Sequence, residues 1–155
     1  MNQYLIETFQ WNDGANRKVL EKIRQLPDKN ESIKFFSHLI NSMNKWMARL
    51  KSDANLQQMD WWIPAYPLDE LEPRWNECLL NWISFLESKT EEELLEPARF
   101  TGLDGGQWEA KPKDIALQLN YHSIHHRAQI QTMIRQQGLQ PDFVDYIGTV
   151  YRKIS

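Results

Sequence analysis

The sequence predicts an all-α fold, a bundle of four long helices, and three observations favour it. Glycine is scarce, with six in 155 residues, and no long stretch is rich in β-branched side chains. Apolar residues recur at intervals of three and four, which is typical of helices with one buried face. No repeat or linker-like stretch divides the chain, so we expect residues 1–155 to form one domain.

The first two helices are predicted over residues 3–25 and 31–50. Pro27 should end the first helix because proline cannot continue the backbone hydrogen-bond ladder. In the second helix, the apolar residues alternate at three and four positions, as in the seam of a helix bundle. That seam consists of Phe36, Leu39, Met43, Trp46 and Leu50.

A long connection, rich in proline and aromatic residues, is predicted over residues 51–73. Loops of this length are uncommon within a compact domain unless they have a function. We expect the prolines to break any regular element and the aromatic rings to fold over something apolar, walling a substrate cleft. The prolines are Pro64, Pro67 and Pro73, and the aromatic residues are Trp61, Trp62 and Tyr66.

The other two long helices are predicted over residues 72–88 and 112–137. Pro112 suits a first helical turn, and Gly138 suits the position just beyond a helix end.

Smaller elements are predicted between and after these helices. Thr90 and Glu93 have the spacing of a capping box, which indicates a short helix to about residue 95. Residues 103–107 form a turn signal flanked by aromatic residues, which indicates a small hairpin. Residues 142–151 are expected to contain a last short helix.

The charge and the cysteine count restrict the class of protein. With a net charge of −3, the sequence does not indicate the basic surface that binds nucleic acid or an anionic membrane. No apolar run approaches the roughly 18–20 residues of a membrane span, and the N-terminus lacks the pattern of a signal peptide. The only cysteine, Cys78, cannot form an internal disulfide, which fits a cytoplasmic protein, and we expect it to be a small buried hydrophobe.

Three of the four histidines lie within the last long helix. His122 and His126 are four residues apart, and a helical wheel at about 100° per residue places both inside the apolar arc. His125 falls on the polar side, beside Gln118 and Gln129. Two stacked imidazoles joined by a third would form an open metal site. Hydrogen-bonded core histidines are the alternative interpretation.

The fourth histidine, His38, and the arginine at position 127 are less clear. His38 lies roughly 60° beyond the edge of the apolar arc of its helix, a rim position from which it could reach a site or face solvent. Arg127 lies at the margin of its arc, where an ion pair is commoner than a catalytic role.

The chain resembles the DinB-like (damage-inducible) family of metal-binding four-helix bundles. The most specific match is His122-Ser123-Ile124-His125-His126-Arg127-Ala128-Gln129, close to the family string His-Ser-Thr-His-His-Arg-Gly-Gln. Residues 11–16 resemble the family's aromatic-Asn-x-x-Ala-Asn region, and residues 141–146 resemble its C-terminal end. Ala128, Tyr121 and Gln118 depart from the common pattern, and Gln118 replaces a histidine of many members.

This resemblance implies an up-down-down-up bundle that holds a divalent metal, nickel or zinc, with His38, His122 and His126. Relatives include thiol transferases that join bacillithiol, mycothiol or related thiols to electrophiles. Many are homodimers, and many members have no known activity. The resemblance therefore implies either a metal-dependent thiol S-transferase or a non-catalytic metal-binding module of stress response or protein interaction.

Overall fold

Four long helices dominate the chain, and the computed structural model describes all of residues 1–155. This mostly helical architecture confirms the predicted fold class. The elements in chain order are α1 (Asn2–Gln25), α2 (Asn30–Lys51), a single 3-10 turn (Leu56–Gln58), α3 (Leu68–Ser88), α4 (Glu91–Leu95), β1 (Ala98–Thr101), β2 (Gln107–Ala110), α5 (Pro112–Gln136) and α6 (Ile147–Val150).

The four long helices surround one apolar core. Helices α1 and α2 each pack against both α3 and α5 and touch each other little, so they lie across the bundle from one another. Phe9 of α1 stacks on Trp82 of α3 with ring centroids 5.6 Å apart, and both side chains are fully buried. Among the long helices, α5 therefore has two neighbours, α1 on one side and α2 on the other.

The local signals between the long helices are confirmed. Thr90 and Glu93 form the reciprocal capping box, with Thr90 Oγ1 accepting from the Glu93 amide. Strands β1 and β2 pair antiparallel with Phe100 opposite Trp108. Gly138 follows α5 with a φ of 83°, a left-handed conformation that costs glycine little.

The predicted start of α3 is wrong, because this helix begins at Leu68 and contains Pro73. A proline inside a helix removes one backbone hydrogen bond and costs about 3 kcal/mol. Packing offsets that cost: Leu71 in the first turns is fully buried. Glu72 also accepts a hydrogen bond from Arg24 Nη2 at 2.8 Å. The proline-rich connection is correspondingly shorter than predicted.

The remaining connection between α2 and α3 folds back onto α2. The Tyr66 amide donates to Ser37 Oγ at 2.9 Å, and the Tyr66 hydroxyl donates to Asn41 Oδ1 at 2.7 Å. Asn41 Nδ2 donates in turn to the Pro64 carbonyl at 3.1 Å. These bonds fix the aromatic part of the loop over α2. None of the helices has the length and apolar character that crossing a membrane requires.

Candidate metal centre

Helices α2 and α5 bring three imidazoles together. His38 comes from α2, and His122 and His126 come from successive turns of α5. The ring centroids lie 4.8 Å apart for His38 and His122, 4.7 Å for His38 and His126, and 4.4 Å for His122 and His126. The three histidines that the sequence and the family resemblance single out are therefore neighbours.

The Nε2 atoms of these rings face one another. His122 Nε2 lies 3.0 Å from His38 Nε2 and 2.9 Å from His126 Nε2. The Nδ1 atoms of His38 and His126 form hydrogen bonds outside the cluster. His38 Nδ1 donates to the main-chain oxygen of Trp61 at 2.7 Å, and His126 Nδ1 donates to Gln129 Oε1 at 2.6 Å. Since a carbonyl oxygen only accepts, both neutral rings carry their proton on Nδ1 and present a bare Nε2.

This arrangement leaves lone pairs without donors. Neutral His122 has one ring proton, so at most one of its two Nε2 contacts can be a hydrogen bond. A cation among the three nitrogens would satisfy all of the lone pairs, and the three side chains could hold a metal ion. Imidazole nitrogens suit divalent ions such as zinc, nickel and copper. The donation of Nδ1–H to a carbonyl is the usual way in which proteins orient such a ligand.

The electrostatic environment keeps the imidazoles neutral. Burial lowers the pKa of His122 to about 4, and the neighbouring imidazoles act in the same direction. Burial also lowers the pKa of His38 and of His126, partly opposed by the hydrogen bonds to Trp61 and Gln129. Neutral imidazole is the form that binds a cation, so no proton has to be displaced near neutral pH.

Aromatic rings wall this cluster on the side of the loop. The Trp62 indole stacks on His38 with centroids 3.8 Å apart and an angle of 7° between the planes. Phe35 packs against Trp62 at 5.5 Å and against His126 at 5.4 Å. No carboxylate contacts any of the three imidazoles. The cluster is therefore bounded on this side by aromatic rings and not by charged groups.

The position of His38 shows why its helical wheel was ambiguous. Only 5 % of its surface is exposed, so the solvent-facing alternative is wrong. His38 lies outside the apolar seam of α2, as the wheel indicates, but Trp61 and Trp62 cover it. A wheel counts residues on one helix and cannot include a loop that folds back over it.

Other predictions for α5 have mixed outcomes. His125 is exposed and is not among the three side chains that could hold a metal, as predicted, although its ring touches His126. Gln129 and the Trp61 carbonyl were missed as partners of the imidazoles. The spacing of three between His126 and Gln129 could have indicated the first. No sequence signal reveals a main-chain acceptor.

Arg127 is only 3 % exposed and forms no ion pair, so the predicted preference for an ion pair is wrong. Its Nη1 donates to Asn12 Oδ1 at 2.6 Å and to Asn16 Oδ1 at 2.8 Å. Asn16 Nδ2 also donates to Ser123 Oγ at 2.8 Å, and the guanidinium carbon lies 5.1 Å from the Trp11 ring. Burial lowers the pKa of Arg127 to about 10. We call these five residues the arginine cluster.

Cys78 is a buried hydrophobe, as predicted. Its thiol donates to the Trp75 carbonyl at 3.2 Å, and burial raises its pKa far above the ordinary range. It is therefore not an activated nucleophile.

The comparison with protein families gives a match over almost the whole chain. The sequence model of the DinB family matches residues 1–153, which is nearly the whole chain. No curated protein sequence matches the chain.

Proposed function

The chain belongs to the DinB family, and from that premise we propose that it is a metal-dependent thiol S-transferase. The metal would be a divalent ion, nickel or zinc, with His38, His122 and His126 as ligands. The observation that carries the proposal is that three Nε2 atoms face one another, while the rings of His38 and His126 are already held by hydrogen bonds at Nδ1. Three imidazoles leave further positions open on a divalent ion, as in catalytic rather than structural sites.

His38, His122 and His126 would hold a divalent ion through neutral imidazoles, and the undiminished positive charge of that ion would lower the pKa of a thiol bound at the site. The residues of the chain supply the rest. The Trp61 carbonyl orients the His38 ring, and Gln129 orients the His126 ring. Phe35 and Trp62 exclude water from one side of the site. In the transfer itself, the thiol loses its proton to solvent, and the sulfur electron pair forms a bond to the electrophilic carbon as the leaving group departs.

A metal assay followed by a thiol screen tests this function. Elemental analysis of the purified protein should find close to one nickel or zinc per chain. The loaded protein should then conjugate a low-molecular-weight thiol to monochlorobimane, releasing chloride, faster than the His122→Ala variant does. No conjugation with any of several thiols, including bacillithiol and mycothiol, would overturn the transferase proposal.

The second candidate is a non-catalytic metal-binding module of stress response or protein interaction. It is favoured by what the imidazoles contact, namely aromatic rings, an amide and a main-chain carbonyl, none of which moves a proton readily at neutral pH. A site that binds metal without any thiol transfer would support this candidate.

Further proposals concern the organisation of the molecule. We propose one domain over residues 1–155, an up-down-down-up order of the long helices and a homodimer. Exposed apolar side chains support the dimer, since Ile124 and Tyr146 line one surface cavity of about 350 Å³ and both are exposed. Light scattering after size-exclusion chromatography would decide the oligomeric state.

Two proposals concern the setting of the protein. We propose a cytoplasmic location from the single cysteine, and no binding to nucleic acid from the net charge of −3. Binding to DNA at physiological salt would contradict the second.

A further inference from the structure

A second concave region lies beside the metal centre, between the C-terminal half of α2, the loop at Trp61 and the hairpin. Its volume is about 460 Å³. A smaller cavity of about 80 Å³ adjoins it and is lined in part by Lys45 and Thr101. Arg49 lines both. We call the two together the aromatic cleft, and its main walls are Trp46, Trp61, Phe100, Leu103, Trp108 and Arg49.

Arg49 is buried in this cleft without an anionic partner. Arg49 is only 8 % exposed, and its guanidinium forms no ion pair. The guanidinium carbon lies 4.6, 5.0 and 4.7 Å from the rings of Trp46, Trp61 and Phe100. Nη2 reaches the Thr101 carbonyl only at 3.5 Å, and the buried Nε has no hydrogen-bond partner. Ring faces stabilise a cation less than a carboxylate does.

A second cation, Lys45, lies close to Arg49. Its ammonium group donates to the Met59 carbonyl at 2.5 Å and lies 4.8 Å from the Trp61 ring. Its pKa is lowered by burial and then by the charge of Arg49. The two cations therefore create a positive potential that no acidic group of the protein neutralises by direct contact.

Two acidic residues lie nearby, and each is engaged elsewhere. Asp60 accepts from the amides of Trp62 and Ile63 at 2.7 and 3.0 Å. Asp104 lines the hairpin side of the cleft, where it accepts from Trp108 Nε1 at 2.9 Å and from the Gly106 amide at 3.0 Å. Both carboxylates shape the loops around the cleft and neither pairs with Arg49.

We propose that the aromatic cleft binds a small aromatic carboxylic acid, with its ring against Trp46, Trp61 and Trp108 and its carboxylate on Arg49. Arginine matches a carboxylate with two parallel N–H donors, and burial strengthens such bonds. Aromatic walls with a few convergent polar groups are typical of small-molecule sites. A carboxylate would supply the acceptor that the terminal nitrogens of Arg49 lack, since Nη2 reaches the chain only through its 3.5 Å contact with the Thr101 carbonyl.

Trp61 connects this cleft to the metal centre. Its ring forms a wall of the cleft, while its main-chain oxygen holds His38 Nδ1. A ligand in the cleft would therefore lie beside the imidazole cluster. The binding itself requires neither metal nor thiol, so this proposal can succeed or fail independently of the transferase proposal.

Binding to the full-length protein as purified tests the proposal. The probes are 2-naphthoate, the neutral isostere 2-naphthamide, and acetate. Calorimetry and tryptophan fluorescence measure their binding. We expect naphthoate to bind about tenfold or more tighter than naphthamide, the difference expected of a charge-assisted hydrogen-bond pair. Acetate should not bind measurably. Equal affinity for naphthoate and naphthamide, or no binding of either at millimolar concentration, would overturn the proposal.

Variants locate the site. Arg49→Met should lose the preference for naphthoate over naphthamide. Arg99→Met, which removes an exposed cation from the hairpin that walls the cleft, should keep that preference. Trp108→Ala removes an exposed wall of the cleft and should weaken the binding of both naphthoate and naphthamide. This variant still tests the location of the site if Arg49→Met does not fold. His122→Ala should bind naphthoate as the wild type does. Loss of binding in His122→Ala would place the carboxylate on the metal and overturn the assignment to Arg49.

Discussion

Helix α5 carries two polar clusters on different faces, and they differ in how completely their polar atoms are partnered. In the arginine cluster, the buried Arg127 donates to two asparagine oxygens, and Asn16 also donates to Ser123. In the imidazole cluster, three bare or singly protonated nitrogens face one another at 2.9 and 3.0 Å. In the first, the chain itself supplies donors to the asparagine oxygens, although Trp11 Nε1 has no partner. In the second, only a cation would satisfy all of the facing lone pairs.

This difference separates structure from function on one helix. A buried polar network with satisfied partners rigidifies a core, whereas one with opposed lone pairs favours a ligand. Arg127 and Ser123 join α5 to α1, and His122 and His126 join α5 to α2. We infer that the arginine cluster fixes the position of α5, which sets the spacing of the imidazoles.

The largest expected effect comes from breaking the arginine cluster. Arg127→Met should lower the free energy of unfolding by about 3 kcal/mol, because it leaves two buried asparagine oxygens without donors. Chemical denaturation measures the change. Arg135→Met, an exposed arginine two turns further along α5, is the matched control and should stay within about 0.5 kcal/mol of the wild type. An equal loss in both variants would contradict the role of the cluster.

Breaking the imidazole cluster should affect metal binding more than intrinsic stability. With zinc or nickel at a hundredfold excess over its Kd, the wild type should gain about 2.7 kcal/mol of stability, and His122→Ala should gain none. Thermal unfolding with and without metal measures both. In metal-free buffer the two proteins should unfold at similar temperatures, since the alanine removes opposed lone pairs. A gain in His122→Ala equal to that of the wild type would exclude the ligand role.

A smaller effect is expected from the partner of His126. Gln129→Met removes the acceptor at 2.6 Å from Nδ1 and keeps a similar side-chain volume. Metal affinity should fall about tenfold, as is typical when the group orienting a ligand is lost. Competition with a metal indicator gives the affinity. Gln118→Met, an exposed glutamine on the same helix, should leave it unchanged.

The smallest effect is expected at His125. This histidine is exposed, and its side chain is not part of the set that could hold a metal. His125→Ala should change metal affinity and stability by less than about 0.5 kcal/mol, as for ordinary surface positions. Calorimetric titration with zinc checks this. A loss comparable to that of His122→Ala would mean that the wheel misplaced the ligands.

The sequence predicted well those features that depend on a single helix or turn. Helical periodicity and local caps located α1, α2, α5, the capping box at Thr90 and the hairpin, because each signal acts within a few residues. The wheel of α5 separated His125 from the inward pair for the same reason. Family resemblance, rather than periodicity, selected His38.

Contacts between elements were beyond sequence reasoning. The sequence places the start of the third long helix at residue 72 instead of Leu68, because the burial of Leu71 and the hydrogen bond between Glu72 and Arg24 depend on tertiary contacts. Arg127 was expected to pair with a carboxylate, yet its partners are asparagines more than 100 positions away in the chain. The cover over His38 likewise comes from a loop whose path depends on tertiary packing.

The acceptor for His38 Nδ1 belongs to the main chain of residue 61, so its presence does not depend on which side chain that residue carries. Every amino acid at position 61 supplies the same carbonyl. Mutation there can reshape the aromatic cleft while the imidazole keeps its tautomer and orientation. A lineage could therefore diversify what the cleft recognises, one substitution at a time, without first passing through a broken imidazole cluster.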